Sequence, residues 1–184
     1  MINTLPFNGR ITRLKHESHY AETIAAWILE EWPQETHGES IETLGRRLLE
    51  CDQKGLSIEN KHGFSVTFVA VQAGEIVGTV RLCSHDMKGP DDDFSPWLAA
   101  LYVHPSHRQK HIGRALVENT VTTAIQLAMK HVVGHRSLHL WFPASKSHLL
   151  TFYCSCGFHE IARSVYKESS FGEDVVIMRH DFRS

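Results

Sequence analysis

One stretch of the sequence, residues 97–117, constrains the fold more strongly than any other, because it joins an apolar strand to a long helix through a basic turn. Its first part, WLAALYV over 97–103, is an apolar run without alternation, which predicts a central strand covered on both faces. Pro105 ends that strand, and a helix is predicted over 113–130. This order of elements predicts a sheet with a helix packed against it.

The start of that helix is a candidate anion site. The first N–H groups of a helix have no partner within the helix, and the helix dipole adds about half a positive charge at the same place. Arg108, Lys110 and Arg114 add side-chain donors, so the turn is predicted to bind phosphate. The chain contains neither the G-x-x-x-x-G-K-[ST] pattern of nucleotide hydrolases nor the G-x-G-x-x-G pattern of dinucleotide binding, which disfavours both of those functions.

Composition excludes several classes of protein. Of 184 residues, 42% are hydrophobic and 22% charged, which predicts a single domain over 1–184 with a sizeable core. Nineteen Lys and Arg stand against 21 Asp and Glu, so the net charge is −2 with neutral His, and no nucleic-acid partner is expected. Neither a signal-peptide pattern nor an apolar run of the roughly 18 residues that span a bilayer is present. The four cysteines show no C-x-x-C spacing, and together these features predict a cytoplasmic protein with no membrane partner.

The remaining elements follow from hydrophobic periodicity. The clearest pair is a hairpin of strands 66–72 and 75–82, joined by Ala73-Gly74. Two early helices are predicted over 18–33, with Ser18 as N-cap, and over 41–52, with Ser40 as N-cap and Ile41 on the apolar stripe. Further strands are predicted at 10–16, 137–142, 158–166 and 174–178, and a short helix at 146–155. This order predicts an α+β fold whose mostly antiparallel central sheet of about seven strands is flanked by about four helices.

Two short motifs stand out in the second half of the chain: VHP at 103–105 followed by RQKHIGRAL at 108–116, and FYCSCGF at 152–158. The first resembles the acetyl-coenzyme A signature of the GCN5-related N-acetyltransferases, the GNAT family, whose core pattern is [QR]-x-x-G-x-[GA]. The second resembles the same family's F-Y-x-x-x-G-F segment. The resemblance covers nearly the whole chain and implies a GNAT-like fold that transfers an acetyl group from acetyl-CoA to an amine.

The resemblance also implies roles for individual residues. The pyrophosphate of coenzyme A would bind the basic turn after the strand at 97–103 and the first turn of the following helix, at Arg108, Gln109, Lys110, His111, Ile112, Gly113 and Arg114. The pantetheine arm would pair like an extra strand with the main chain of Leu101, Tyr102 and Val103, where a backbone N–H would stabilise the oxyanion. Tyr153 would be the general acid that protonates the leaving thiolate, and neither a metal nor a covalent enzyme intermediate is implied.

The sequence departs from the family pattern at two positions. His111 replaces the first glycine of the core pattern, which predicts weakened but retained phosphate binding. Lys146 stands at about the place where many relatives carry an asparagine that contacts the pantetheine. The pattern assigns no general base; a water relay and four side chains are candidates: Glu31, His85, Asp86 and His104.

Other functions stay open at this stage. The chief alternative is a non-catalytic acetyl-CoA binding or regulatory module. A metal site on His131, His135 and His139 is disfavoured, because Gly134 and the strand-like residues after it interrupt the helix that would align them. The partner is expected to be a small-molecule or peptide amine, held by the segments 30–40, 85–95 and 167–174, and paired subunits, frequent in the family, make a homodimer an option.

Overall fold

The computed structural model describes residues 7–33, 36, 38–56, 63–86, 96–130, 136–165 and 174–182. Within those ranges, strands and α-helices follow the order that the sequence predicts. The strands are β1 (Arg10–Arg13), β2 (Ser65–Gln72), β3 (Glu75–Cys83), β4 (Trp97–Val103), β5 (Ser137–Pro143), β6 (His159–Val165) and β7 (Asp174–Asp181). The helices are α1 (Ala21–Glu31), α2 (Ile41–Lys54), α3 (Ile112–Lys130) and α4 (His148–Ser155).

In the described part of the chain, the seven strands form one sheet in the order β1-β2-β3-β4-β5-β7-β6. Every neighbouring pair is antiparallel except β4 and β5, which confirms the prediction of a mostly antiparallel sheet. The predicted hairpin is β2 and β3, paired from Gln72 opposite Glu75. Ala73 and Gly74 both have positive φ, 52° and 84°, as a two-residue type I′ turn requires.

Strand β4 carries a bulge in its middle. Tyr102 pairs with Thr79 and Ala99 pairs with Arg81, so two residues of β4 lie opposite one residue of β3. Ala100 takes a positive φ of 48°, a conformation that costs an alanine free energy and that the surrounding sheet must hold in place. The bulge bends β4 beside β5, the neighbouring strand with which it forms the fewest residue pairs in the described sheet.

Strands β4 and β5 separate soon after they meet. Over the described lengths of both strands, their one paired position is Trp97 with His139. Just before it, the backbone N–H of His139 donates to the Pro96 carbonyl at 3.0 Å. Beyond Trp97, the backbone edge of β4 that faces β5 therefore has no strand partner, and the sheet opens between its two halves.

Helices cover both faces of the sheet because alternate residues of β2 point in opposite directions. Phe68 belongs to the larger core cluster, which includes Leu116 of α3. Val69 belongs to a second cluster with Ile24 of α1 and Leu44 of α2. Helix α3 therefore packs on one face and α1 and α2 on the other. None of the described helices is both long and apolar enough to span a bilayer.

Asp52 joins α2 to the sheet as a fully buried carboxylate. Arg13 donates to its Oδ1 from Nε at 3.1 Å and from Nη2 at 3.0 Å. The backbone N–H groups of Lys15 and Thr67 also donate to the carboxylate, at 2.7 and 3.1 Å. Because four donors surround one buried charge, its desolvation is offset by charge-assisted hydrogen bonds.

The structure corrects four local predictions, three of them in the first part of the chain. Ser18 is not an N-cap: residues Ser18–Tyr20 form a 3₁₀ turn, and α1 begins at Ala21 without a side-chain cap. Ile41 is 43% exposed, because it is the first residue of α2 and lies beyond the buried stripe that begins at Leu44. Strand β1 ends at Arg13, because Leu14–His16 form another 3₁₀ turn.

The cap at Ser40 is confirmed, since its hydroxyl accepts from the Thr43 N–H at 3.2 Å. The short helix α4 starts at His148 instead of 146, because the two preceding residues form a turn in which the Leu149 N–H donates to the Lys146 carbonyl. The predicted polar loop at 88–95, the helix exit at Gly134, the strand end at Tyr166 and the turn at 168–173 lie outside the described residues.

Candidate active site

A cavity of about 1200 Å³ lies at the opening between β4 and β5. Its walls include β4 from Leu98 to Val103 and β5 from Trp141 to Pro143. The β4–α3 loop (residues 104–111), the first turn of α3, helix α4 and the α1–α2 region complete the lining. The loop that the sequence predicts to bind phosphate and the predicted general acid therefore share one cavity.

The β4–α3 loop has an unusual backbone. After a 3₁₀ turn over Pro105–His107, both Gln109 and His111 have positive φ, 62° and 60°. His111 thus adopts the left-handed conformation, which costs a histidine free energy that a glycine would not lose. No backbone carbonyl in the described ranges accepts from the N–H groups of residues 112–114, the first three of α3, and groups of this kind are able to bind an anion.

The cations of this region differ in their positions. Arg108 lines the cavity, and its Nε donates to the Val103 carbonyl at 3.0 Å. Arg114 also lines it, and its guanidinium donates to the carbonyl and hydroxyl of Ser155, both at 2.9 Å, which ties α3 to the end of α4. Lys110 is absent from the described lining, and its Nζ donates to the Ser106 carbonyl at 3.1 Å.

The positive φ at His111 leads to a prediction about the stability of two variants. Replacing His111 by glycine or by alanine removes the imidazole in both cases, but only glycine relieves the positive φ of 60°. We expect the glycine variant to unfold with a free energy about 1 kcal/mol higher than the alanine variant. Urea unfolding of both variants measures the difference. At His107, where φ is not positive, the order should reverse; an alanine variant at 111 as stable as the glycine variant would contradict the strain.

Tyr153 is placed by aromatic packing. Its ring lies 5.8 Å from that of Phe142 on β5, nearly parallel, and 5.0 and 5.9 Å from those of Phe152 and Phe158, edge to face. The residue is 7% exposed and lines the cavity, and its hydroxyl has no hydrogen-bond partner among the described residues. Burial raises the pKa of Tyr153, with a smaller contribution from Cys156, so the hydroxyl keeps its proton at neutral pH.

The three β4 residues predicted to hold the pantetheine arm all line the cavity next to the bulge. They are Leu101, Tyr102 and Val103. The Tyr102 ring packs against that of Trp27 of α1 in a tilted arrangement, with centroids 4.9 Å apart, and lies under the Arg108 guanidinium at 5.9 Å. Burial, and then the charge of Glu30, raise the pKa of Tyr102.

Two ion pairs line the cavity on its other side. Arg81 donates to Asp86 Oδ1 at 2.9 Å, and the indole N–H of Trp141 donates to Asp86 Oδ2, also at 2.9 Å. Lys146 donates to Glu31 Oε1 at 3.0 Å, which joins the β5–α4 connection to the end of α1. All five residues line the cavity, as does Arg47 of α2, which is bound to Glu39.

The four candidate general bases differ in whether they line the cavity. Within the described ranges, the lining includes Glu31 and Asp86 but neither His85 nor His104. The rings of the two histidines instead bond neighbouring hydroxyls, His85 to Ser84 and His104 to Ser106, each at 2.8 Å. The carboxylates are therefore the candidates that a ligand in this cavity can contact.

Sequence reasoning missed Arg47, Arg81 and Trp141 as site residues. Arg81 could have been noticed in the sequence, because it is a charged residue among the apolar residues of β3, and charged residues are seldom buried without a partner. His139 lies on β5, buried beside the Trp97 ring, while His131 and His135 lie outside the described residues. The described residues contain no group of three His, Cys, Asp or Glu arranged to hold a metal ion.

A family model for the GNAT acetyltransferase domain matches residues 63–160, more than half of the chain. The chain belongs to the GNAT acetyltransferase family. The match spans the open sheet, the β4–α3 loop and α4, so the motifs that resemble the family signature lie inside it. As a GNAT N-acetyltransferase the protein is an enzyme, which favours catalysis over the alternative of a binding module.

Solved GNAT structures share the fold over nearly the full chain. The ribosomal-protein-alanine N-acetyltransferase from Brucella melitensis superposes with a TM-score of 0.67 at 18% identity, covering 94% of this chain and 99% of its own. YncA from Salmonella typhimurium, solved with its cofactor acetyl-CoA, gives 0.67 at 15% identity, with 97% and 96% covered. A spermidine N-acetyltransferase chimera from Vibrio cholerae and human sequences gives 0.65 at 16%, with 95% and 96% covered. A search of curated protein sequences found no match.

Proposed function

We propose that this GNAT enzyme transfers an acetyl group directly from acetyl-CoA to a primary amine, with both substrates bound in the cavity between β4 and β5. The carrying observation is that one cavity of about 1200 Å³ is lined by the β4–α3 loop, by the unpaired edge of β4, by Tyr153 and by two carboxylates. This supports a reaction in which the acetyl donor, the acid and the amine meet in one cavity. Acetyl-CoA supplies the activated acetyl group as a thioester.

The β4–α3 loop and the start of α3 are the proposed phosphate site. Their support is the unbonded N–H groups of residues 112–114, together with Arg108 and Arg114 at the cavity wall. Gln109, His111, Ile112 and Gly113 also line the cavity there. Lys110 is the weakest member of the predicted set, because its ammonium faces the Ser106 carbonyl.

The pantetheine arm is proposed to lie along β4, where the main chain of Leu101 to Val103 faces the gap left by β5. An extended ligand there gains backbone hydrogen bonds of the kind a neighbouring strand would make. The bulge at Ala100 turns the backbone at this point and lets one N–H face the acetyl carbonyl as it becomes negative.

Tyr153 is proposed to donate its hydroxyl to the leaving sulfur. Burial keeps this hydroxyl protonated, and no described residue competes for it. Because the pKa of Tyr153 is raised well above that of a thiol, about 8.5, its contribution is chiefly a hydrogen bond to the thiolate as the carbon–sulfur bond breaks. The amine is neutral when it attacks, and its proton leaves through water or to Glu31 or Asp86, the two carboxylates at the cavity wall.

Acetyl transfer to a panel of amines, with free thiol and acetylated product both measured, tests the proposed function. The first amines of the panel are those for which structurally similar acetyltransferases are named: a peptide with N-terminal alanine, spermidine and an aminoglycoside. We expect acetyl-CoA to raise the melting temperature and at least one amine to release thiol. Thermal stabilisation without turnover on any amine would instead indicate a non-catalytic acetyl-CoA binding module.

A further inference from the structure

The charged side chains of the cavity outside the β4–α3 loop and α3 are more cationic than an amine site requires. Among the described lining residues they comprise three cations, Arg47, Arg81 and Lys146, and two carboxylates, Glu31 and Asp86. A site for a polycation needs carboxylates that lack a partner, so that each ammonium of the ligand gains one. Neither carboxylate here meets that condition.

Both carboxylates are already engaged by cations of the same cavity. Asp86 accepts from Arg81 at one oxygen and from Trp141 at the other, and its side chain is 13% exposed. Glu31 accepts from Lys146 at 3.0 Å. A polycationic acceptor that took either carboxylate would leave Arg81 or Lys146 uncompensated beside its own positive charges, which is unfavourable in a partly buried site.

An acceptor with one positive and one negative group avoids that cost. Its ammonium can take the place of Lys146 at Glu31, while its anionic group takes the place of Glu31 at Lys146, so every charge keeps a partner. Resting on the function proposed above, we infer that the acceptor is a small zwitterion, an amine with a carboxylate a few bonds away, and that Lys146 binds that carboxylate.

Lys146 is the cation best placed for this exchange. Its side chain is 40% exposed and lines the cavity, whereas Arg81 is 26% exposed and held by Asp86, and Arg47 is bound to Glu39 at 2.6 and 3.2 Å. The backbone at Lys146 is fixed, because its N–H donates to the Pro143 carbonyl and its carbonyl accepts from Leu149. A fixed backbone with a reorientable ammonium makes this lysine a specificity-determining residue beside the helix that carries Tyr153.

The test compares acceptors that differ in the carboxylate alone. We expect kcat/KM for the best of the twenty free amino acids to exceed that for its carboxamide, for spermidine and for kanamycin by at least about tenfold. Lys146→Gln should lower kcat/KM for that amino acid by about 10- to 100-fold and that for its carboxamide by less than about threefold. Lys54→Gln, at an exposed lysine of α2 outside the lining, is the matched control and should change neither.

A second variant separates the charge of Lys146 from its ion pair. Glu31→Gln breaks the same bridge but keeps the lysine, so the preference for the free amino acid over its carboxamide should persist. The inference is overturned if spermidine, kanamycin or the carboxamides are the better acceptors, or if Lys146→Gln lowers the rates with amino acid and carboxamide equally. If spermidine, kanamycin or the carboxamides are acetylated instead, the zwitterion inference fails but the proposed acetyl transfer stands. If no amine is acetylated, both the inference and the proposed function fail.

Discussion

Replacing Tyr153 by phenylalanine is expected to lower kcat about 100-fold while the affinity for acetyl-CoA changes less than about threefold. The ring contacts with Phe142, Phe152 and Phe158 do not involve the hydroxyl, so the variant should fold like the wild type. What it loses is the hydroxyl of a residue that lines the cavity, which is the proposed donor to the leaving sulfur. Steady-state kinetics at saturating amine give kcat, and isothermal titration gives the affinity.

Tyr20→Phe is the matched control for this substitution. The Tyr20 hydroxyl donates to the Gly74 carbonyl at 2.6 Å and lies outside the cavity, so kcat should stay unchanged while stability falls by about 1 kcal/mol. Equal losses of kcat and acetyl-CoA affinity in Tyr153→Phe would assign that tyrosine a structural role. Since burial raises the pKa of Tyr153, ionisation of this hydroxyl should cost the wild type no activity below about pH 10.

Asp52→Ala should reduce the free energy of unfolding by about 3 kcal/mol or more. The substitution removes a fully buried carboxylate, leaves the 19% exposed Arg13 without its ionic partner although the backbone carbonyl of residue 52 can still accept, and takes the acceptor from the N–H groups of Lys15 and Thr67. Urea denaturation followed by circular dichroism measures the loss. The effect belongs to the packing of α2 on the sheet and does not depend on any ligand.

Two further variants keep this prediction testable if the alanine variant does not fold. Asp52→Asn preserves the shape and one acceptor oxygen and should lose about half as much stability. Glu50→Ala, two residues earlier on α2 and exposed, should change stability by less than about 0.5 kcal/mol. A loss below about 1 kcal/mol in Asp52→Ala would show that the buried carboxylate stabilises little.

The order of elements could be predicted from the sequence because hydrophobic period and turn residues are local signals. The hairpin with Ala73-Gly74 and the cap at Ser40 are of this kind, and both are confirmed. The prediction failed where two local conformations compete closely. Ser18 suits either an N-cap or a 3₁₀ turn, and the choice depends on how the chain approaches α1.

The site, too, could be predicted only where its residues are close together in the sequence. The β4–α3 loop and Tyr153 lie in short motifs that can be recognised from the sequence, and the structure adds that His111 has a positive φ of 60°, a conformation that favours glycine. The pair of Glu31 and Lys146 joins residues 115 positions apart, and that of Asp86 and Trp141 joins residues 55 apart. No periodicity encodes such contacts, because they depend on which loops the finished sheet brings together.

Over the described strands, β4 and β5 pair directly at one position, Trp97 with His139. The half of the sheet with β1 to β4 and the half with β5 to β7 are therefore held together mainly by side-chain packing in the larger core cluster, which includes α3. An extended ligand lying between β4 and β5 would hold the two halves of the sheet together, so amide hydrogens of both strands should exchange more slowly once it is bound. Slower exchange confined to the β4–α3 loop would mean that the bound ligand does not couple the two halves of the sheet.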